Sequence, residues 1–199
     1  MEKLTVGPVE TNCYLIPGDL DSRSVLVVDP GAEEERILAA LRGRTAVAVL
    51  LTHGHFDHTG ALNAFRDKEI FIGREDAPML SDPEKSVGVL AGDVAPRPAA
   101  TRLLDGGEML TFPGFSRPVQ VIRTPGHTPG GMCFVILGEL YSGDTLFRHS
   151  YGRTDFPGGS FPTLERSLKK LLAMDGNMPV HPGHDRDASL SEERLFFGF

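Results

Sequence analysis

One short stretch constrains this chain more than any other: LLTHGHFDHTG, residues 50–60. It sets His53, His55, Asp57 and His58 directly behind the apolar run AVAVLL. An apolar run of that length reads as a buried strand. Coordinating side chains packed so densely require a fold in which that strand ends at a sheltered site. In extended backbone, residues two apart point the same way, so His53 and His55 face one point just past the strand end. Asp57 and His58 follow as the chain turns into the next helix, a little displaced from the first pair. One segment can therefore serve two metal positions.

Other coordinating residues occur singly, each near a strand end. TPGHTPGG places His127 in a loop too rich in Pro and Gly to be helix or strand. YSGDT puts Asp144 directly after a strand, and HPGHD puts His184 after the last short one. Open α/β architectures gather their sites at such positions. Of the seven histidines, five are those just named, and His149 and His181 are left over. A lone histidine is more often structural than a ligand. A His-x-His-x-Asp-His block followed by further loop singletons points instead to a metal centre. Imidazole and carboxylate without cysteine suit zinc, with iron or manganese as alternatives. Five histidines and two aspartates fit two divalent cations sharing one carboxylate. A cation lowers the pKa of water from near 16 to roughly 7, which yields a nucleophile at neutral pH.

The surrounding pattern is α/β. NCYLI and SVLVVDPG read as strands, EEERILAALRG as an amphipathic helix, AVAVLLT as a buried strand, HTGALNAFRDK as a second helix and EIFIG as another strand. Residues 81–101, rich in Pro, Gly and Ala, read as a surface excursion bordering a site, with room for a short helix. From residue 102 the texture is β again, through GEMLTF, PVQVIRT, MCFVIL and ELYSGD. TLERSLKKLLAM is an amphipathic helix, MPVHPGH a short strand and loop, and SLSEERLFF a final helix with Ser189 or Ser191 as its cap. Two α/β halves in one domain, residues 1–199, imply two sheets covered on the outside by helices. Net charge is -7, which argues against a nucleic-acid partner. No stretch is long enough to span a bilayer and the N-terminus has no apolar leader, so a cytoplasmic protein is expected. Cys13 and Cys133 are expected as buried, reduced thiols.

These segments resemble the metallo-β-lactamase fold superfamily, from about residue 11 to residue 187. His53-x-His55-x-Asp57-His58, then His127, Asp144 and His184, follow its motif order with no ligand missing. The resemblance implies a four-layer αββα sandwich. It assigns His53, His55 and His127 to one metal and Asp57, His58 and His184 to a second, with Asp144 bridging. It also makes Asp29 a brace behind the histidine loop. The zinc β-lactamases of the commonest type carry cysteine where this chain has Asp144, and flavodiiron proteins carry glutamate where it has His55. The nearest pattern, GDTLF followed by YGRTDFPGG, is similar to glyoxalase II, specifically its short bacterial members without the C-terminal helical domain.

That likeness implies hydrolysis of an acyl-glutathione, typically S-D-lactoylglutathione, with Asp57 orienting the attacking hydroxide and able to take its proton. Arg153 falls where glyoxalase II has a basic substrate contact, while Asp155 and Arg186 replace tyrosines. Arg153 or Arg186 would then grip a substrate carboxylate, the alternative for Arg153 being a structural ion pair with Asp155. A rival of the same fold is a persulfide dioxygenase with one iron held by the equivalents of His53, His127 and Asp144. A phosphodiesterase or nuclease is disfavoured by the acidic charge. A monomer or homodimer is expected, the apolar end Leu195–Phe199 either closing the core or packing on a second subunit.

Overall fold

The computed structural model describes residues 1–198. The first half runs β1 (Glu2–Val6), β2 (Thr11–Pro17), β3 (Ser24–Val28), α1 (Glu34–Leu41), β4 (Thr45–Leu50), α2 (Phe56–Thr59), β5 (Glu69–Gly73) and β6 (Arg102–Leu104). The second runs β7 (Met109–Leu110), β8 (Val119–Arg123), β9 (Met132–Ile136), β10 (Glu139–Gly143), β11 (Leu146–Phe147), β12 (Ser150–Tyr151), α3 (Phe161–Leu172), β13 (Pro179–Pro182), β14 (Ala188–Ser189) and α4 (Leu190–Phe197). One six-stranded sheet holds β1 to β6 in sequence order, and the other is ordered β14-β13-β10-β9-β8-β7.

Alternation along the strands builds the layers. Tyr14, Ile16, Leu26, Val28, Ala48 and Leu50 of the first sheet pack with Val121, Phe134 and Tyr141 of the second, between the sheets. The opposite faces carry Leu15, Val25, Val27 and Val49 onto Ile37 and Leu41 of α1. On the other side, Ile122 and Leu140 pack on Leu164, Leu168, Leu171 and Leu172 of α3. The result is the αββα sandwich. Cys13 and Cys133 are free and buried. Burial pushes both thiols up, Cys133 to about 11 and Cys13 further, so neither is primed to react.

Strand direction collects the site at one edge. β3, β4 and β5 are mutually parallel, and so are β10 and β13. β8 reaches the orientation of β10 through two antiparallel steps. Hence Asp29, Thr52, His127, Asp144 and His184 all follow strands that end on the same side.

Two sequence expectations need correction. HTGALNAFRDK is not one helix. α2 ends at Thr59, and a separate 3-10 turn spans Leu62–Phe65. The break has a cause in packing: a Cβ at Gly60 would sit 2.1 Å from the Gly31 carbonyl oxygen. The next amide, Ala61 N–H, donates to the Pro30 carbonyl at 2.9 Å instead of continuing a helical ladder. The β1 edge strand was also absent from the sequence reading. The excursion at 81–101 does carry a short turn, the 3-10 segment Gly88–Ala91. α4 is capped by Ser189, whose hydroxyl accepts from Glu192 N–H. At the tail Phe197 packs against the α3 core while Leu195 and Phe196 stay exposed. Phe199 lies outside the described residues. Among the described residues no helix is long and apolar enough to cross a membrane.

Candidate metal centre

Seven of the predicted side chains meet at the sheet edge. His53 Nε2 and His127 Nε2 lie 3.1 and 3.0 Å from His55 Nδ1. His58 Nε2 is 3.4 Å from Asp57 Oδ2, which is 3.3 Å from His184 Nε2. Asp144 spans the two groups, with Oδ1 3.3 Å from His58 Nε2 and Oδ2 3.5 Å from His127 Nε2 and 3.6 Å from His184 Nε2. A tetrahedral cation with metal–nitrogen distances near 2.0 Å holds its ligand atoms about 3.3 Å apart. The His53–His55 and His55–His127 pairs of one set and the His58–Asp57 and Asp57–His184 pairs of the other are spaced at 3.0 to 3.4 Å, and all ligand atoms of each set lie within 4.8 Å of one another.

The protons on the rings follow from their partners. His127 Nδ1 lies 2.7 Å from the Arg153 carbonyl, which can only accept, so Nδ1 carries the hydrogen and Nε2 is bare. Thr52 donates its hydroxyl hydrogen to Asp29 Oδ2 at 2.6 Å, so Thr52 Oγ1 accepts from His53 Nδ1 at 3.1 Å. His58 Nδ1 donates to Asp29 Oδ2 at 2.8 Å. Three imidazoles are thus oriented with their second nitrogen facing inward. Asp29 controls two of them, one directly and one through Thr52, as a brace behind metal-binding histidines does. Its backbone lies in the left-handed region at φ 49, which aspartate tolerates. His58 Nε2 and Asp144 Oδ1, both facing into the centre, are buried with no hydrogen-bond partner. Buried polar atoms without partners are costly, and a donor set of this chemistry fits a divalent cation.

Electrostatics agree. Burial, reinforced by neighbouring imidazoles, pushes His53 well down, and burial with His127 pushes His55 to about 3. Both rings are neutral, as ligation requires. Burial opposes charge on His58, but Asp57, Asp144 and Asp29 outweigh it and hold that ring well above its ordinary range. The carboxylates that favour a proton there favour any cation. Burial would raise Asp144, yet His58 outweighs it and keeps the carboxyl at about 2. Gly183 is required by this crowding, since a Cβ there would sit 2.2 Å from Asp144 Oδ1 and 2.7 Å from His58 Cε1.

The centre opens into a cleft of about 370 Å³, lined by site residues and by Val9, Phe56, Val87, Leu90, Arg153 and Phe156 among others. Arg153 reaches the cleft, but its guanidinium is held by both Asp155 oxygens at 2.7 and 2.6 Å and lies 3.8 Å over the Phe156 ring. Arg186 is exposed and outside the cleft lining. His181, left over in the sequence, is buried against Glu139 and Asp187.

Sequence reasoning missed three supporting residues. Thr52, beside His53, relays Asp29 to that ring. Thr11 donates to Asp57 Oδ2 at 2.8 Å. Asp76 accepts from Thr128 Oγ1 and Gly130 N–H at 2.6 and 2.7 Å and, more weakly, from Gly54 N–H at 3.3 Å, pinning the His53–His55 loop to the His127 loop. Thr52 could have been found by its place before the motif. Nothing local marks Thr11 or Asp76.

Comparison with known proteins gives a consistent result. The family model described as the metallo-beta-lactamase superfamily matches residues 6–185. The probable metallo-hydrolase YqgX of Bacillus subtilis is 32% identical, over 96% of this chain and 93% of its own. The hydroxyacylglutathione hydrolase GloC of Haemophilus influenzae is 30% identical, over 98% of this chain and 94% of its own. Among solved structures, the BLEG-1 B3 metallo-beta-lactamase has a TM-score of 0.91 at 32% identity, covering 98% of this chain and 96% of its own. TTHA1623 in a di-iron-bound form has a TM-score of 0.86 at 34% identity, covering 97% and 96%.

Proposed function

The chain belongs to the metallo-beta-lactamase superfamily, and from that premise we propose that it is a metal-dependent hydrolase of thioesters, acting on S-D-lactoylglutathione or a related acyl-glutathione. His53, His55 and His127 would hold one divalent cation, Asp57, His58 and His184 a second, with Asp144 shared. The observation that carries this reading is the set of inward-facing nitrogens on His53, His58 and His127, each ring oriented by a hydrogen bond on its far side. Zinc suits the donors, and the di-iron form of TTHA1623 keeps iron in view. Bound there, divalent cations supply Lewis-acid chemistry, polarising a carbonyl and bringing the ionisation of water near neutrality.

The chain's own residues do the rest. Burial would raise Asp57, but His58 and His184 outweigh it and hold the carboxyl well below the usual range. At neutral pH it is a carboxylate able to accept a hydrogen bond from water and so orient it. Thr11 fixes one of its oxygens and so sets the direction of the other. Phe56 and Phe156 line the cleft and limit water at the reacting carbonyl. In hydrolysis a C–O bond forms, the C–S bond breaks, and the thiolate takes up a proton on release. Hydrolysis of the acyl-glutathione type is favoured by the likeness to GloC along nearly the full chain.

The test couples metal analysis to turnover. Protein purified without added metal is expected to carry about two divalent ions per chain and to release thiol from S-D-lactoylglutathione, with chelation abolishing and metal restoring the activity. One iron per chain with oxygen uptake on glutathione persulfide would replace hydrolysis by the dioxygenase chemistry of the same fold. Metal-loaded protein inert on every thioester would reject the proposal.

A further inference from the structure

The mouth of the cleft has a character that the metal centre does not require. One wall is the 3-10 turn Gly88–Ala91. Val87, just before it, is buried and lies in the left-handed region at φ 54. For a β-branched residue that is an outlier, and such strain persists only where the surroundings enforce it. The turn presents Leu90, 73% exposed, at the cleft, and Val9 stands there at 46%. The wall is tied to the centre, because Phe56 N–H donates to the Ser86 carbonyl at 3.0 Å. A second cleft of about 220 Å³ shares Val9, Phe56, Asp57 and Ala91 with the first, so the apolar surface continues away from the reacting position.

Charge at the mouth points the same way. Among the described residues lining the cleft, Arg153 is the one Lys or Arg side chain, and its guanidinium is closed on Asp155. The nearby Lys85 and Arg97 are likewise paired, with Asp82 and Asp93. A glutathione moiety, with its two carboxylates, finds no free cation here and gains nothing from Leu90 or Val9. If the leaving thiol is that polar group, the apolar wall must face the other half of the substrate.

Resting on the hydrolase reading above, we propose that the substrates carry an apolar acyl chain lying along Phe56 and Leu90 into the adjoining cleft, and that Leu90 is a specificity-determining residue. Each methylene buried there improves kcat/KM by about fourfold. The experiment holds the thiol constant and varies the acyl group on metal-loaded protein. S-hexanoylglutathione is expected to exceed both S-acetylglutathione and S-D-lactoylglutathione in kcat/KM by about tenfold or more. In Leu90→Ser, a substitution at an exposed position, the hexanoyl-to-acetyl ratio should fall to about a third or less. Calorimetry supplies a readout without turnover: S-hexylglutathione should bind at least about tenfold more tightly than S-methylglutathione, the gain from burying about two of its extra methylenes, with a more negative heat-capacity change. Tighter S-hexylglutathione binding by a protein inert on all thioesters would sink the reaction and leave the apolar subsite standing. Equal ratios and equal binding, with thioesters hydrolysed, would overturn the subsite alone. A Leu90→Ser protein whose ratio is unchanged but whose oligomeric state shifts would assign the wall to a second copy of the chain, also overturning it.

Discussion

At the floor of the cleft, His53, His58 and His127 have their outer nitrogens tied to Thr52, Asp29 and the Arg153 carbonyl, and their inner nitrogens face the buried centre shared with Asp144. At its mouth, Leu90 and Val9 stand exposed, and Arg153 is turned back on Asp155. The floor is over-determined: rings are fixed by partners that are fixed in turn. The mouth is held by one strained turn and by surface ion pairs. Chemistry that any relative can use belongs in the first kind of construction, and the choice of substrate in the second. Substitutions in the two regions should therefore differ in kind as well as size.

The largest effect is expected at the shared carboxylate. Asp144→Ala removes the group that touches both ligand sets, so metal content should fall below two per chain and turnover by about a thousandfold. Circular dichroism should stay native, because the β10–β13 pairing does not depend on that side chain. Two metals and undiminished turnover would break the distinction between floor and mouth at its strongest point.

One step back from the ligands, Asp29→Asn tests whether the floor depends on its outer hydrogen bonds. Asparagine tolerates the left-handed backbone at φ 49, which isolates the electrostatic change. Its amide would meet donors from both Thr52 and His58, so one imidazole loses its enforced tautomer. Metal affinity, measured by competition with a chromophoric chelator, should weaken by about 10- to 100-fold. Unchanged affinity would mean that the ring orientations are set by packing alone.

How much of this contrast is readable in sequence follows the same division. The floor was legible because His53, His55, Asp57 and His58 are close in the chain and follow a strand whose burial is marked by its apolar run. The singletons His127, Asp144 and His184 were legible because each follows strand-like texture. Asp76 was not, since its acceptors' partners lie in two loops that become neighbours only when the sheets pack. The single helix expected after the motif failed for a related reason: Gly60 meets Gly31 across the fold, and that approach overrides local helical propensity. The mouth was hardest to read. Leu90 and Val87 sit in a Pro- and Gly-rich stretch with no periodicity, and only the folded turn shows which side chains it aims at the cleft.

The smallest expected effect is the most specific to the mouth. Asp155→Ala would release the Arg153 guanidinium from its bidentate partner while leaving the Phe156 ring beneath it. Exposed ion pairs are weak, so the freed cation should lower KM for thioesters with anionic thiols by only about twofold to fivefold, with little change in kcat. Acidification cannot substitute for the mutation. The hydrogen bonds from Arg153 hold the Asp155 carboxyl at about 2. A carboxyl depressed in this way stays ionised, and the pair closed, until pH falls towards that value. Wild-type KM for an anionic thioester should therefore show no improvement between pH 7 and 5 from this source, and the gain should appear only in the variant and fade with added salt. A wild-type enzyme already as effective with anionic thiols as Asp155→Ala would show that Arg153 is free to leave Asp155 for substrate, and the mouth would then rank with the floor as a site of charge recognition.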